Sequence, residues 1–134
     1  MVHGIHHINF IVRDLDAAIE KYERILGVPV SFRDRLEERG IVSARFKLRD
    51  TWLVLVQPVK PGTVPARHLE EHGEGFFLMS LGVDSLESES ERLGEEAFSG
   101  GERQGIEDWR IRDIDVGQTF GAQLQLAQTG SAAK

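Results

Sequence analysis

Apolar residues recur along the chain in two alternating rhythms, and each rhythm predicts a kind of element. Ile5 to Val12 (IHHINFIV) is dense in β-branched and aromatic residues, as a strand requires. Asp14 then offers a cap, and Leu15, Ala18, Ile19, Tyr22, Ile25 and Leu26 follow at helical spacing until Gly27 stops the helix. Val28 to Arg35, Ile41 to Leu48 and Trp52 to Gln57 read as three strands, broken at Glu38-Arg39-Gly40 and Arg49-Asp50. Pro58, Pro61, Gly62 and Pro65 punctuate a connector in which Ala66 to His72 can form a short helix.

A second series begins at Phe76. FFLMSLGVD predicts a strand, and Ser85 caps a helix from Leu86 to about Glu96. Only Leu86, Leu93 and Ala97 mark that helix's apolar face, and Gly94 interrupts it. Its acidic run, SLESESERLGEE, reads as a solvated face. Glu107 to Asp113 and Ala122 to Gln128 predict the closing strands, and the tail TGSAAK is expected to fray.

Both series run strand-helix-strand-strand-strand. An offset of 71 residues lays HINFIVRDLDAA from His7 on LMSLGVDSLESE from Leu78, and the same offset lays Leu53–Val56 on Leu124–Ala127. One offset that fits both the first and the last strand of each half argues for a duplicated βαβββ module. The expected architecture is α+β: two tandem βαβββ modules forming a cupped mixed β-sheet in a single domain. Module one spans about 4–58, the linker 59–75, module two about 76–128 and the tail 129–134. Side chains alternate along strands, so His7 and Leu78 occupy equivalent points, as do Val54 and Gln125. These four positions are expected to converge in the cup.

The bulk numbers narrow the function classes. The chain has 134 residues, enough for one domain with a real core, with 40% hydrophobic and 28% charged residues. A net charge of -6 disfavours nucleic acid or an anionic membrane as partner, since both reward clustered Lys and Arg. No run approaches the ~18 apolar residues of a membrane span, and the opening MVHGIHHINF has no signal-peptide pattern. Absence of cysteine removes disulfides, thiolate ligands and Cys nucleophiles. A cytoplasmic location is the expectation.

IHHINFIVRDLDAAIEKYERILGVP, the linker QPVKPGTVPARHLEEHGEGF and the turn RDIDVG together resemble the vicinal-oxygen-chelate (glyoxalase/bleomycin resistance/dioxygenase) superfamily, nearest in appearance to its methylmalonyl-CoA epimerase-like branch. The resemblance covers about residues 4 to 128. It implies a homodimer and a divalent metal such as Zn, Co, Ni, Mg or Mn, held by four inward side chains. Carried over by position, those four are His7, Val54, Leu78 and Gln125. Val54 and Leu78 cannot coordinate a metal, and Gln125 stands where the epimerases carry Glu. The expectation is therefore no cofactor, with His7 and Gln125 as remnants of the metal site. Ser43 stands where the epimerases place a proton-transferring Glu, so their mechanism is not expected to survive.

Several residues remain as candidates. His7 is either an acid/base in the cup or a buried histidine paired with Gln125 or Asn9. His6, of opposite parity, should face outward or toward the helix. Ser43, Arg45 and Lys47 share one strand face, and Arg110 and Arg112 share another. These cations suit a carboxylate, phosphate or acyl-thioester ligand, or else they are edge charges paired with nearby acids. Trp52 shares parity with Val54 and either floors the pocket or packs the core. Gln123 and Gln125 would add a polar, uncharged stripe.

The leading expectation is a metal-independent small-molecule binder of the bleomycin-resistance type. The ligand-binding set is Ser43, Arg45, Trp52, Val54, Leu78, Gln123, Gln125 and Arg112. The alternative is a divergent isomerase or lyase of the epimerase/glyoxalase type with His7 as acid/base. A metal-dependent glyoxalase-like lyase with an unrecognised ligand set is a third possibility.

Overall fold

A computed structural model of the chain describes residues 1–129. The elements run β1 (Val2–Ile11), α1 (Leu15–Leu26), β2 (Phe32–Leu36), β3 (Ile41–Lys47), β4 (Trp52–Pro58), α2 (Val64–His72), β5 (Gly75–Val83), α3 (Leu86–Leu93), β6 (Arg103–Gln104), β7 (Trp109–Asp113) and β8 (Leu124–Thr129). The fold is α+β with parallel and antiparallel strand pairs, as the patterning predicted. Contacts divide the chain into two compact units. One is Ile8–Phe77; the other joins Met1–His7 to the chain from Leu78 onward. Both β1 and β5 are therefore split between units.

In the unit Ile8–Phe77, β2, β3 and β4 form an antiparallel meander. The side chain of Asp14 accepts from the N–H of Ala17 at 3.1 Å, and Gly27 closes α1 in the left-handed region at φ 74°. Leu15 and Ile19 are buried with Val12, Ala44, Phe46 and Leu55, and Ala18, Tyr22 and Leu26 lean on that core. Ile25, predicted to join them, is 73% exposed. At 100° per residue it lies about 80° from the centre of the stripe, which places it at the rim.

The strand expected from Val28 starts only at Phe32. Pro29 has no N–H to give a ladder, and the N–H of Val30 donates to the Glu23 carboxylate at 2.9 Å instead. Thr63 caps α2, slightly ahead of the expected start.

In the second unit β5 and β8 are parallel, and β7 pairs antiparallel with β8 and with the short β6, which the patterning did not predict. Val83, Leu86, Ala97, Phe98 and Leu126 form its core. Gly94, at φ 88°, ends α3 three residues before the core residue Ala97, and a 3-10 turn over Glu95–Ala97 carries that residue in. β7 begins at Trp109 rather than Glu107, because Glu107 sits at φ 51° in a turn. The acidic face of α3 is not wholly solvated. Glu89 is buried, ion-paired to the Met1 ammonium at 2.7 Å and to Arg92 at 2.6 Å.

The internal offset recurs in the hydrogen bonding. Gln57 Oε1 accepts from the N–H of Leu15 at 2.8 Å, and 71 positions later Gln128 Oε1 accepts from the N–H of Leu86 at 2.7 Å. In each half of the repeat the last strand holds the first turn of the helix that follows the first strand. The expected fraying of the tail concerns residues 130–134, outside the described residues, and Thr129, which ends β8.

Candidate functional site

In the unit Ile8–Phe77, register decides which side chains share a face. Phe32 is opposite Arg45 and Asp34 opposite Ser43 on one side of β3; Trp52, Val54 and Val56 are opposite Lys47, Arg45 and Ser43 on the other. Cross-strand partners point the same way, so these residues form one face while Ala44, Phe46 and Leu55 form the other, under α1. The predicted grouping of Ser43, Arg45, Trp52 and Val54 is what the strands present.

Arg45 is 1% exposed. Its guanidinium lies 4.4 Å from the Phe32 ring and 4.7 Å from Trp52, and its Nε donates to Asp34 at 3.2 Å. A buried cation needs such company, because the low dielectric penalises an isolated charge. Lys47 Nζ sits 4.9 Å from the Trp52 ring at the exposed end of the strand. Ser43 is fully buried, and its hydroxyl has no hydrogen-bond partner. Trp52 is half-buried, clasped by the two cations rather than sunk in the hydrophobic core.

In the second unit Asp113 is opposite Gln125, and Gln125 is beside Ser80 in the parallel pair. Gln123, Leu78 and Trp109 have the same parity and share that face. The His7 ring is 4% exposed and stacks on Trp109 at 4.6 Å. His7 Nδ1 lies 2.9 Å from His6 Nδ1, and His6 Nε2 lies 2.8 Å from the Thr129 hydroxyl. The contacts of His7 thus include His6 and Trp109. His6 was expected to face away; instead it meets Trp109 edge-on at 4.7 Å, drawn by that ring and the Thr129 hydroxyl. Sequence parity could not show this, since Trp109 is remote along the chain.

Arg112 does not join this face. It is opposite Leu126, a core residue, and lies on the helix side of β7. There it donates to the Gly100 carbonyl at 2.8 Å and to Glu95 at 2.6 Å, with its guanidinium 4.0 Å from the Phe98 ring. That bond holds the Glu95 carboxyl below its usual range. Arg110, on the same side, is ion-paired to Glu102. The β7 arginines are accordingly committed to acids of their own unit, and the ligand role expected for Arg112 is corrected.

The family model of the Glyoxalase/Bleomycin resistance protein/Dioxygenase superfamily matches residues 6–112. The chain belongs to that superfamily. Among curated proteins none matches it. Solved structures similar to it include a Streptomyces coelicolor methylmalonyl-CoA epimerase variant in complex with 2-nitronate-propionyl-CoA, at 23% identity and TM-score 0.91, covering 98% of each chain. The Mycobacterium tuberculosis methylmalonyl-CoA epimerase is similar at 25% identity and TM-score 0.89, over 98% of this chain and 91% of that one. A Bacillus halodurans protein without assigned function is similar at 16% identity and TM-score 0.89, over 95% and 94%.

At the four positions that the resemblance implies for metal donors, the sequence carries two aliphatic side chains, Val54 and Leu78, one imidazole, His7, and one amide, Gln125. Gln125 gives its amide N–H to Asp113 at 3.0 Å. Among the described residues no group of three or more His, Asp or Glu is gathered as a metal would require. The residues present do not fit the family's metal. Among the described residues no helix is long and apolar enough to cross a membrane.

Proposed function

We propose that this superfamily member binds a small organic acid derivative, of the organic anion or acyl-thioester class, without a divalent metal. The observation that carries the reading is the Ser43 hydroxyl, fully buried yet unpartnered, on the strand face that also presents Arg45, Lys47 and Trp52. An unmatched buried hydroxyl costs about 1–3 kcal/mol, a cost a bound oxygen would relieve. Asp34 balances Arg45, which leaves Lys47 as the surplus positive charge on this face. The aromatic flank of Trp52 suits a planar acyl group. The similar structures named for methylmalonyl-CoA and an acyl-CoA nitronate point to the same ligand class.

A thermal-shift and calorimetry series with methylmalonyl-CoA, propionyl-CoA and free propionate tests this. Saturable binding that survives chelator treatment and weakens about tenfold or more in Lys47→Ala with Trp52→Ala is expected. Binding that appears only after a divalent metal is added would sink the metal-independent reading.

A second reading, a divergent isomerase or lyase, draws on His7, a buried imidazole fixed by a ring stack and a hydrogen bond. It predicts that the α-hydrogen of methylmalonyl-CoA exchanges with deuterium from heavy water, and that His7→Ala stops the exchange without unfolding the protein. Binding with no exchange in the wild-type chain removes this reading and leaves the first.

A further inference from the structure

Gln125 is 2% exposed and Ser80 is fully buried, and the two are neighbours across the parallel β5/β8 pair. Neither is fully matched: the Ser80 hydroxyl and the Gln125 amide oxygen have no hydrogen-bond partner. Two unmatched polar atoms side by side on one strand face are unusual, since most buried polar side-chain atoms are paired. Gln125 Nε2 donates to Asp113 Oδ1 at 3.0 Å, and Asp113 Oδ2 accepts from Arg103. An ionised carboxylate can only accept, so it tolerates just one orientation of the neighbouring amide. The N–H2 must turn to Asp113, and the carbonyl oxygen is left fixed as an acceptor beside Ser80.

We propose that Gln125 Oε1 and Ser80 Oγ form a subsite for a neutral hydrogen-bond-donating group of a small molecule, a hydroxyl or an amide N–H. Asp113, held by Arg103, is the positioning residue that sets which end of the Gln125 amide is presented. An anionic group is disfavoured there, because it would meet the carbonyl lone pairs with the Asp113 charge just behind. The subsite rests on the ligand-binding reading above and adds a donor requirement that reading does not contain. Arg103 and Asp113 contribute by orientation and charge, without touching the ligand.

The test uses the whole chain, labelled with nitrogen-15, with propionamide and propan-1-ol as donor probes and propionate as a size-matched probe lacking a donor. Titrations follow the Gln125 side-chain amide pair. The donor probes should shift it saturably and bind at least about fivefold tighter than propionate. Ser80→Ala should weaken them about three- to tenfold, the loss of one hydrogen bond. Asp113→Asn permits both amide orientations, so the preference over propionate should fall to within about twofold. A merely structural Asp113 would change thermal stability but leave that ratio alone. Should Asp113→Asn fail to fold, Ser80→Ala and the wild-type preference still decide the matter.

The subsite is overturned if no probe shifts the Gln125 pair, if propionate binds as well as propionamide, or if Ser80→Ala leaves donor affinity unchanged. If propionyl-CoA binds the wild-type chain but neither substitution alters its affinity, the subsite falls and the ligand-binding reading stands. If no thioester, anion or neutral probe binds at all, both fall.

Discussion

Two buried charges, Arg45 and Glu89, show opposite solutions to the same desolvation problem. Arg45 spreads its charge over two aromatic faces and one carboxylate. Arg45→Ala would leave Asp34 without that partner and strip two ring contacts, so a loss of about 3 kcal/mol in urea unfolding is expected. Glu89 relies on full charges instead. The Met1 ammonium hydrogen-bonds it, and Arg92 adds a second bond, which together hold its carboxyl below the usual carboxylate range. A depressed folded-state value contributes stability above the unfolded value and loses it as pH falls toward the folded one. Urea midpoints should therefore drop from about pH 6 to pH 3, and Glu89→Gln, less stable at neutral pH, should show a shallower drop. Glu95, lowered by Arg112, adds to the same acid limb.

Among elements, α1 carries the clearest local signals in the sequence, and its bounds match them. The Asp14 cap, the periodic apolar stripe and Gly27 are all local signals, and α1 follows them to the residue. Where a remote group intervenes, local pattern fails. The Glu23 carboxylate delays β2, and Trp109 with Thr129 turns His6. The β3 face carrying Ser43 and Arg45 was legible because alternation is a strict rule within a strand. The assignment of Arg112 to the ligand was not, since its fate depends on Glu95 in the 3-10 turn after α3. Neither Ser80 nor Asp113 stands out in the sequence as a site residue. A Ser in an apolar strand beside a Gln-bearing strand was the one available signal, and it needs the β5/β8 register to mean anything. The two glutamine-to-helix bonds make a paired prediction. Gln128→Leu should cost about 2 kcal/mol by leaving a buried N–H unmatched, and Gln57→Leu, less buried, about 1 kcal/mol. Denaturant midpoints of the two variants check the ranking.

For the whole molecule, the sequence repeat and the compact units do not coincide. The offset of 71 relates βαβββ segments that follow one another along the chain. The contacts instead group Met1–His7 with residues from Leu78 onward. A net charge of -6 says little about ligand preference on this scale, because what matters is local: a surplus Lys47 on one face and an ion-paired Asp113 on another.

The discontinuous unit also has a timing consequence. Ile8–Phe77 is an unbroken stretch whose contacts can form as soon as it is made. The other unit must keep its first seven residues waiting until the chain from Leu78 has been made, then close a loop of 70 residues, at an entropic cost of about 4 kcal/mol. Its assembly should be the slower step, in keeping with the link between long sequence separation and slow folding. Removing residues 1–6 should therefore expose its amides to hydrogen exchange while sparing those of α1 and β3. Equal loss of protection in both would mean that the two units fold as one.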